Sequence, residues 1–134
     1  TSAKPPEPVE ATARPPVAAE PEGKPSDEVL QAQRRARELE AKGNLEGAYA
    51  ALSESLQRFP GNEALIRQRD GIRAALIRSL DREAAQAFQR QNLDLAITKW
   101  DRILELDPAN RKARLERERA LELKKKMTEK FGGK

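Results

Sequence analysis

The sequence predicts an all-α protein built of antiparallel helix pairs behind an extended, Pro-rich segment. Three observations predict it. Seven of the nine prolines crowd into residues 1–25, at Pro5, Pro6, Pro8, Pro15, Pro16, Pro21 and Pro25. From Ser26 onward Ala, Leu, Arg, Glu and Gln dominate, and all five are strong helix formers. The two remaining prolines, Pro60 and Pro108, lie 48 residues apart, each after an apolar run and before a polar pair, so both read as turns between helices. The chain of 134 residues is 37% hydrophobic, 36% charged and only 4% aromatic, a profile that suits thin helical layers with small cores.

Each element follows from its own residues. Residues 1–26 read as a disordered Pro/Ala/Glu tether: without apolar periodicity they bury too little to offset the entropy of ordering, and they favour extended conformers. Residues 27–130 form the helical domain and 131–134 a flexible C-terminus. Ser26 or Asp27 can cap the first helix, with Glu28 well placed at its positive end. Short turns at Gly43-Asn44 and Gln91-Asn92 join neighbouring helices. A long helix is expected from about Asn62 to about Gln91, with Leu65, Ile72, Leu76, Leu80, Ala84 and Ala87 down one side. Asp70-Gly71 either interrupts it or is tolerated at about 1 kcal/mol. Residues 110–129 suit a closing helix with one wet face, its stripe made by Ala113, Ala120, Leu123 and Met127.

The offset of 48 aligns more than the prolines. Ala36 matches Ala84, Asn44-Leu45 matches Asn92-Leu93, Ala48 matches Ala96, Leu52 matches Trp100 and Leu56 matches Leu104. With Gly43 and Pro60, and then Pro108, these positions resemble the tetratricopeptide repeat over about 80 of the 134 residues. The resemblance implies an α-solenoid fragment of two helix pairs plus a capping helix. In that family a small residue sits on the first helix and a Gly-Asp/Asn turn follows. Ala then begins the second helix's packing face, with a large residue four positions on and Pro eight after that. Two departures stand out. Arg35 and Glu83 occupy positions where the family has small residues, and the 48-residue spacing exceeds the family's 34 by 14, close to four helical turns. An extended helix before the second unit would absorb the excess.

Composition narrows the chemistry. Histidine and cysteine are both absent, which removes the commonest general base, the commonest metal ligand and every thiolate. Glu38/Glu40 and Glu116/Glu118 stand two apart on a helix and should point to different faces. Ser53 and Ser55 lack an activating base, and the FGGK run at Phe131 opens no helix to cradle phosphate. No enzyme, no cofactor, no metal site and no small-molecule substrate are therefore expected, and no run is long and apolar enough to span a bilayer. An aromatic at helical spacing from Ala96 reads as core, so Trp100 is assigned to packing.

The expected function is a protein–protein interaction module, an adaptor or scaffold taking a peptide or helix of a partner. The resemblance implies a concave groove lined by the first helix of each pair: Gln33, Arg34, Arg37 and Glu40, then Arg78, Asp81, Arg82, Phe88 and Gln89, then Lys112, Leu115 and Arg119. Gln33 and Arg37 stand where some family members clamp a carboxylate with Lys and Asn, which argues against a chaperone-tail receptor. The alternative expectation is a structural spacer in a bacterial cell-envelope protein, lipoprotein or secretion-system component. A periplasmic location is favoured over a cytoplasmic one, and Thr1 is expected to follow a processing site or another chain segment. Charge adds one feature, because residues 111–134 carry ten Lys/Arg against four Glu. That helix admits an anionic contact; the four glutamates and the lack of stacking aromatics weigh against nucleic acid. The tether reading predicts narrow amide dispersion and low heteronuclear NOE values over residues 1–25, ending near Ser26. Uniformly high NOE values there would contradict it.

Overall fold

Local capping decides where the chain becomes helical. In the computed structural model, which describes residues 26–132, Ser26 Oγ accepts a bond from the Val29 amide at 3.2 Å and starts α1 (Asp27–Ala41). There follow α2 (Leu45–Arg58), α3 (Glu63–Gln89), α4 (Leu93–Leu106) and α5 (Arg111–Met127), then a π-helical turn over Thr128–Gly132. The described residues are all helix and turn, with no strand. The expected disorder of residues 1–25 and flexibility of Gly133 and Lys134 lie outside the described residues. Helical backbone reaches Gly132 rather than stopping at 130, and Ser26, grouped with the tether by sequence, belongs to the first helix as its cap.

Chain contacts divide the molecule into two compact units, between Ile72 and Arg73, where sequence reading treats 27–130 as one domain. In the first unit α1 packs on α2. Arg58, ending α2, meets Glu28, starting α1, at 3.3 Å, as antiparallel neighbours must. The core of this unit is Val29, Ala36, Ala48, Leu52, Leu56, Leu65 and Ile72. In the second unit α4 packs on α5, and Lys124 near the end of α5 meets Asp94 at the start of α4 at 2.6 Å. Its core runs from Leu76, Leu80, Ala84 and Ala87 of α3 through Leu93, Ala96, Trp100, Ile103 and Leu106 of α4 to Ala113 and Ala120 of α5.

The two cores are internally alike. Shifting the seven buried positions of the first unit by 48 lands on Ile77, Ala84, Ala96, Trp100, Leu104, Ala113 and Ala120, of which five are buried and two half-buried. The 48-residue spacing is spanned by α3. Its early residues Leu65 and Ile72 close the first unit as Ala113 and Ala120 close the second, and its later residues open the second unit. One ordinary helix can close one unit while opening the next; α3 does the two jobs in series and so needs 27 residues. It is continuous through Asp70-Gly71, where a Cβ on exposed Gly71 would meet open space.

The turns repeat in atomic detail. After α1 the Gly43 amide donates to Glu40 O at 2.9 Å and the Asn44 amide to Leu39 O at 2.8 Å; after α3 Gln91 donates to Phe88 O at 2.9 Å and Asn92 to Ala87 O at 2.8 Å. This paired pattern satisfies the last carbonyls and needs a left-handed residue at the first donor. Gly43 takes φ 80° at no steric cost, whereas Gln91 takes φ 61° against the preference of any residue with a Cβ. The second donor then caps the next helix. Asn44 Oδ1 accepts from Gly47 at 2.8 Å and Asn92 Oδ1 from Leu95 at 3.3 Å. Asn62 and Asn110 do the same for Leu65 and Ala113, at 3.0 and 2.9 Å.

Two outcomes follow. Because Trp100 is only 2% exposed at the centre of the second core, Trp100→Ala should destabilise the protein by roughly 3–5 kcal/mol in urea or thermal unfolding. A melt close to wild type would remove the ring from the core. Gln91→Gly should gain about 0.5–1 kcal/mol by relieving the left-handed backbone, while Gly43→Ala should lose about 1 kcal/mol. The same sign for both substitutions would show that backbone conformation is not what these positions answer to.

Candidate functional site

Helical spacing alone places side chains on a wet face, but their neighbours decide which are free to act. In the first unit Arg34, Arg37 and Glu40 are exposed on α1, whereas Gln33 is half-buried and its carbonyl accepts from Gln68 Nε2 at 3.1 Å. Gln33 thus ties α1 to α3 through its backbone.

In the second unit Arg78, Arg82 and Gln89 project from α3 into solvent. Asp81, expected on the same binding face, is engaged instead in holding the unit together. One of its oxygens accepts from Trp100 Nε1 at 3.4 Å and the other from Lys112 Nζ at 2.7 Å, so a single carboxylate links α3, α4 and α5. The hydrogen bond from Lys112 to Asp81, reinforced by the opposite charge, raises the Lys112 ammonium above its ordinary 10.5. A raised lysine pKa contributes fully below 10.5 and is lost only as pH climbs through the higher folded value, so the tie persists at neutral pH. The lysine side chain is 66% exposed, and its energetic share is correspondingly small.

The remaining expected residues converge. Phe88 at the end of α3, with Leu115 and Arg119 of α5, lines an open groove of about 690 Å³. The Phe88 ring is half-buried and tilts 58° to Trp100 at a centroid distance of 6.0 Å, which fixes it on the core side. Leu115 is 55% exposed and Arg119 Nη1 meets Glu116 Oε1 at 3.3 Å. Five further groove residues were not anticipated: Glu116, Glu118, Glu122, Leu123 and Lys126. Part of the signal was present, since Glu122 and Lys126 continue the face of Leu115 and Arg119 at helical steps of three and four. Glu116 and Glu118 both reach the groove despite standing two apart, because it is shallow enough to take in a wide arc of α5.

The groove is therefore lined by three apolar side chains, Phe88, Leu115 and Leu123, together with three carboxylates and two cations. Among the described residues no cluster of three potential ligands could hold a metal ion. No helix among them is long and apolar enough to cross a membrane. The expected repeat residues have clear places: Ala36, Ala48, Leu52, Ala84, Ala96 and Trp100 are buried, Gly43 makes its turn, and Pro60 and Pro108 lie exposed between helices. No family model matches this sequence, and neither a curated protein nor a solved structure does.

Proposed function

We propose that the chain is a non-enzymatic protein-interaction module of two tetratricopeptide-like helical units, and that the groove between the end of α3 and α5 takes an amphipathic helix or short peptide of a partner. The observation that carries this reading is the juxtaposition of Phe88, Leu115 and Leu123 in one open groove that five charged side chains also line. A helix laid in such a groove buries apolar anchors spaced three and four apart and sets its polar positions against the charged side chains. The lining has more acid than base, which favours a ligand with Lys or Arg beside its anchors. The family assignment rests on the local repetition at an offset of 48, which extends from the cores to the hydrogen bonds of all four turns.

A structural spacer within a larger bacterial envelope protein or lipoprotein is the second reading. Its support is the Pro/Ala/Glu composition of residues 1–25 beside units with separate cores.

Peptides selected from a random library against the full chain separate the two. The interaction reading expects selected peptides to carry apolar residues at helical spacing and to shift the amide signals of Phe88, Leu115, Arg119 and Leu123. Leu115→Glu should then weaken binding at least about tenfold, the scale of one lost apolar anchor, with helicity unchanged. Peptides that bind Leu115→Glu as tightly as wild type would overturn the groove assignment.

A further inference from the structure

We propose that the C-terminal end of α5 is a docking tip for an anionic lipid bilayer, with Phe131 as the inserting residue and the surrounding lysines as the electrostatic contact. The tip spans Lys124 to Phe131, a segment with four lysines and one acid, Glu129, and Asp94 of α4 lines the pocket beside it. Lysines in a last helical turn have an ordinary role, since they complement the negative end of the helix dipole. That role accounts for Lys124, Lys125 and Lys126, but not for an aromatic ring left in water beside them. Phe131 is 74% exposed, more than Leu95, Leu115 or Leu121, the other large apolar side chains that stand out of the surface. Lys130 Nζ lies 5.8 Å from the centre of its ring, and Lys124 and Met127 line a shallow pocket together with Phe131. Among the described residues Lys124 is paired with Asp94, whereas no ion pair engages Lys125, Lys126 or Lys130.

Shape selects among anionic partners. A single-stranded nucleic acid needs several stacking rings along a groove that tracks the phosphates. Phe131 is one ring at a helix end. A stable protein partner needs about 800 Å² on each side, far more than a tip of two turns presents. A bilayer imposes neither demand, because its headgroups close around a projecting residue. The ring then sits at the level of the acyl boundary while the lysine stems lie along it with their ammonium groups among phosphates.

The test is co-sedimentation of the full chain with vesicles of phosphatidylcholine alone and of phosphatidylcholine mixed with phosphatidylglycerol. Partition is expected only into the mixed vesicles, and it should collapse at about 1 M salt, where charges are screened within about 3 Å. Lys125→Gln with Lys130→Gln should weaken it about 25-fold, at roughly fivefold per cation. Phe131→Ser should weaken it several-fold with the charge unchanged. Phe131→Trp should bind like wild type and show blue-shifted emission quenched by brominated lipid, against a constant background from buried Trp100. Equal partition into neutral vesicles, no partition into anionic ones, or emission from the introduced indole that stays characteristic of water would overturn the proposal. Retention of an oligonucleotide with vesicles left in the supernatant would also overturn it and move the site to nucleic acid.

Discussion

Close approach of helices at alanine is the constraint on which both units rest. Ala36 and Ala48 in the first unit, and Ala84 and Ala96 in the second, are fully buried. A methyl group can be sealed from water only when the facing helix comes near enough to cover it, so these positions set the helix separation. A larger side chain would push the pair apart and cost about 1–3 kcal/mol through overpacking. Tight spacing has two consequences. The core stays thin, which is why a chain with 4% aromatic residues can fill it. The connections must also reverse direction within a few residues, which is why each α1–α2-type turn fuses a left-handed C-terminal cap to an Asn N-cap with nothing between them.

The fillers of the two cores differ in a compensating way. At equivalent positions the first unit has Leu52, Leu65 and Ile72, and the second has Trp100, Ala113 and Ala120. The second unit places one large ring on α4 and allows α5 to approach with small residues. The first distributes volume over α2 and α3. Total filling matters more than which helix supplies it, provided no cavity is left. The choice has a consequence outside the core. With Ala113 and Ala120 as its only buried residues, α5 is anchored by small side chains, and much of its circumference remains in water.

Much of this was legible in the sequence, because it depends on spacing. The stripe from Leu65 to Ala87 is buried at every expected position, and the offset of 48 located four turns through Asn, Gly and Pro. The site was less legible. Phe88, Leu115 and Arg119 were named on the face that the family resemblance implies and line one groove, but Asp81, named on the same face, is engaged by Trp100 and Lys112. Periodicity assigns a direction to a side chain and carries no information about a partner 19 or 31 positions away. Gln91 shows a different limit. Nothing in its chemistry announces a positive φ, and only its register with Gly43 could have suggested it.

The composition of α5 bears on how its surface should be read. A helix with so narrow a buried stripe must be charged over most of its circumference to remain soluble, so its ten-to-four excess of cations over acids from residue 111 onward is weak evidence of function. Large exposed apolar side chains carry a solvation cost that charged ones do not, although singly they are ordinary on protein surfaces. Leu115 and Phe131 are such residues, and they lie in separate places. Leu115 opens on the groove that Lys126 borders, while Phe131 shares its pocket with Lys124. Two residues apart on a helix, those lysines point in different directions. Lys126, however, both borders the groove and belongs to the basic end of the helix, so the two surfaces adjoin at that residue. A helix that closes a unit with only two alanines has the free circumference for both.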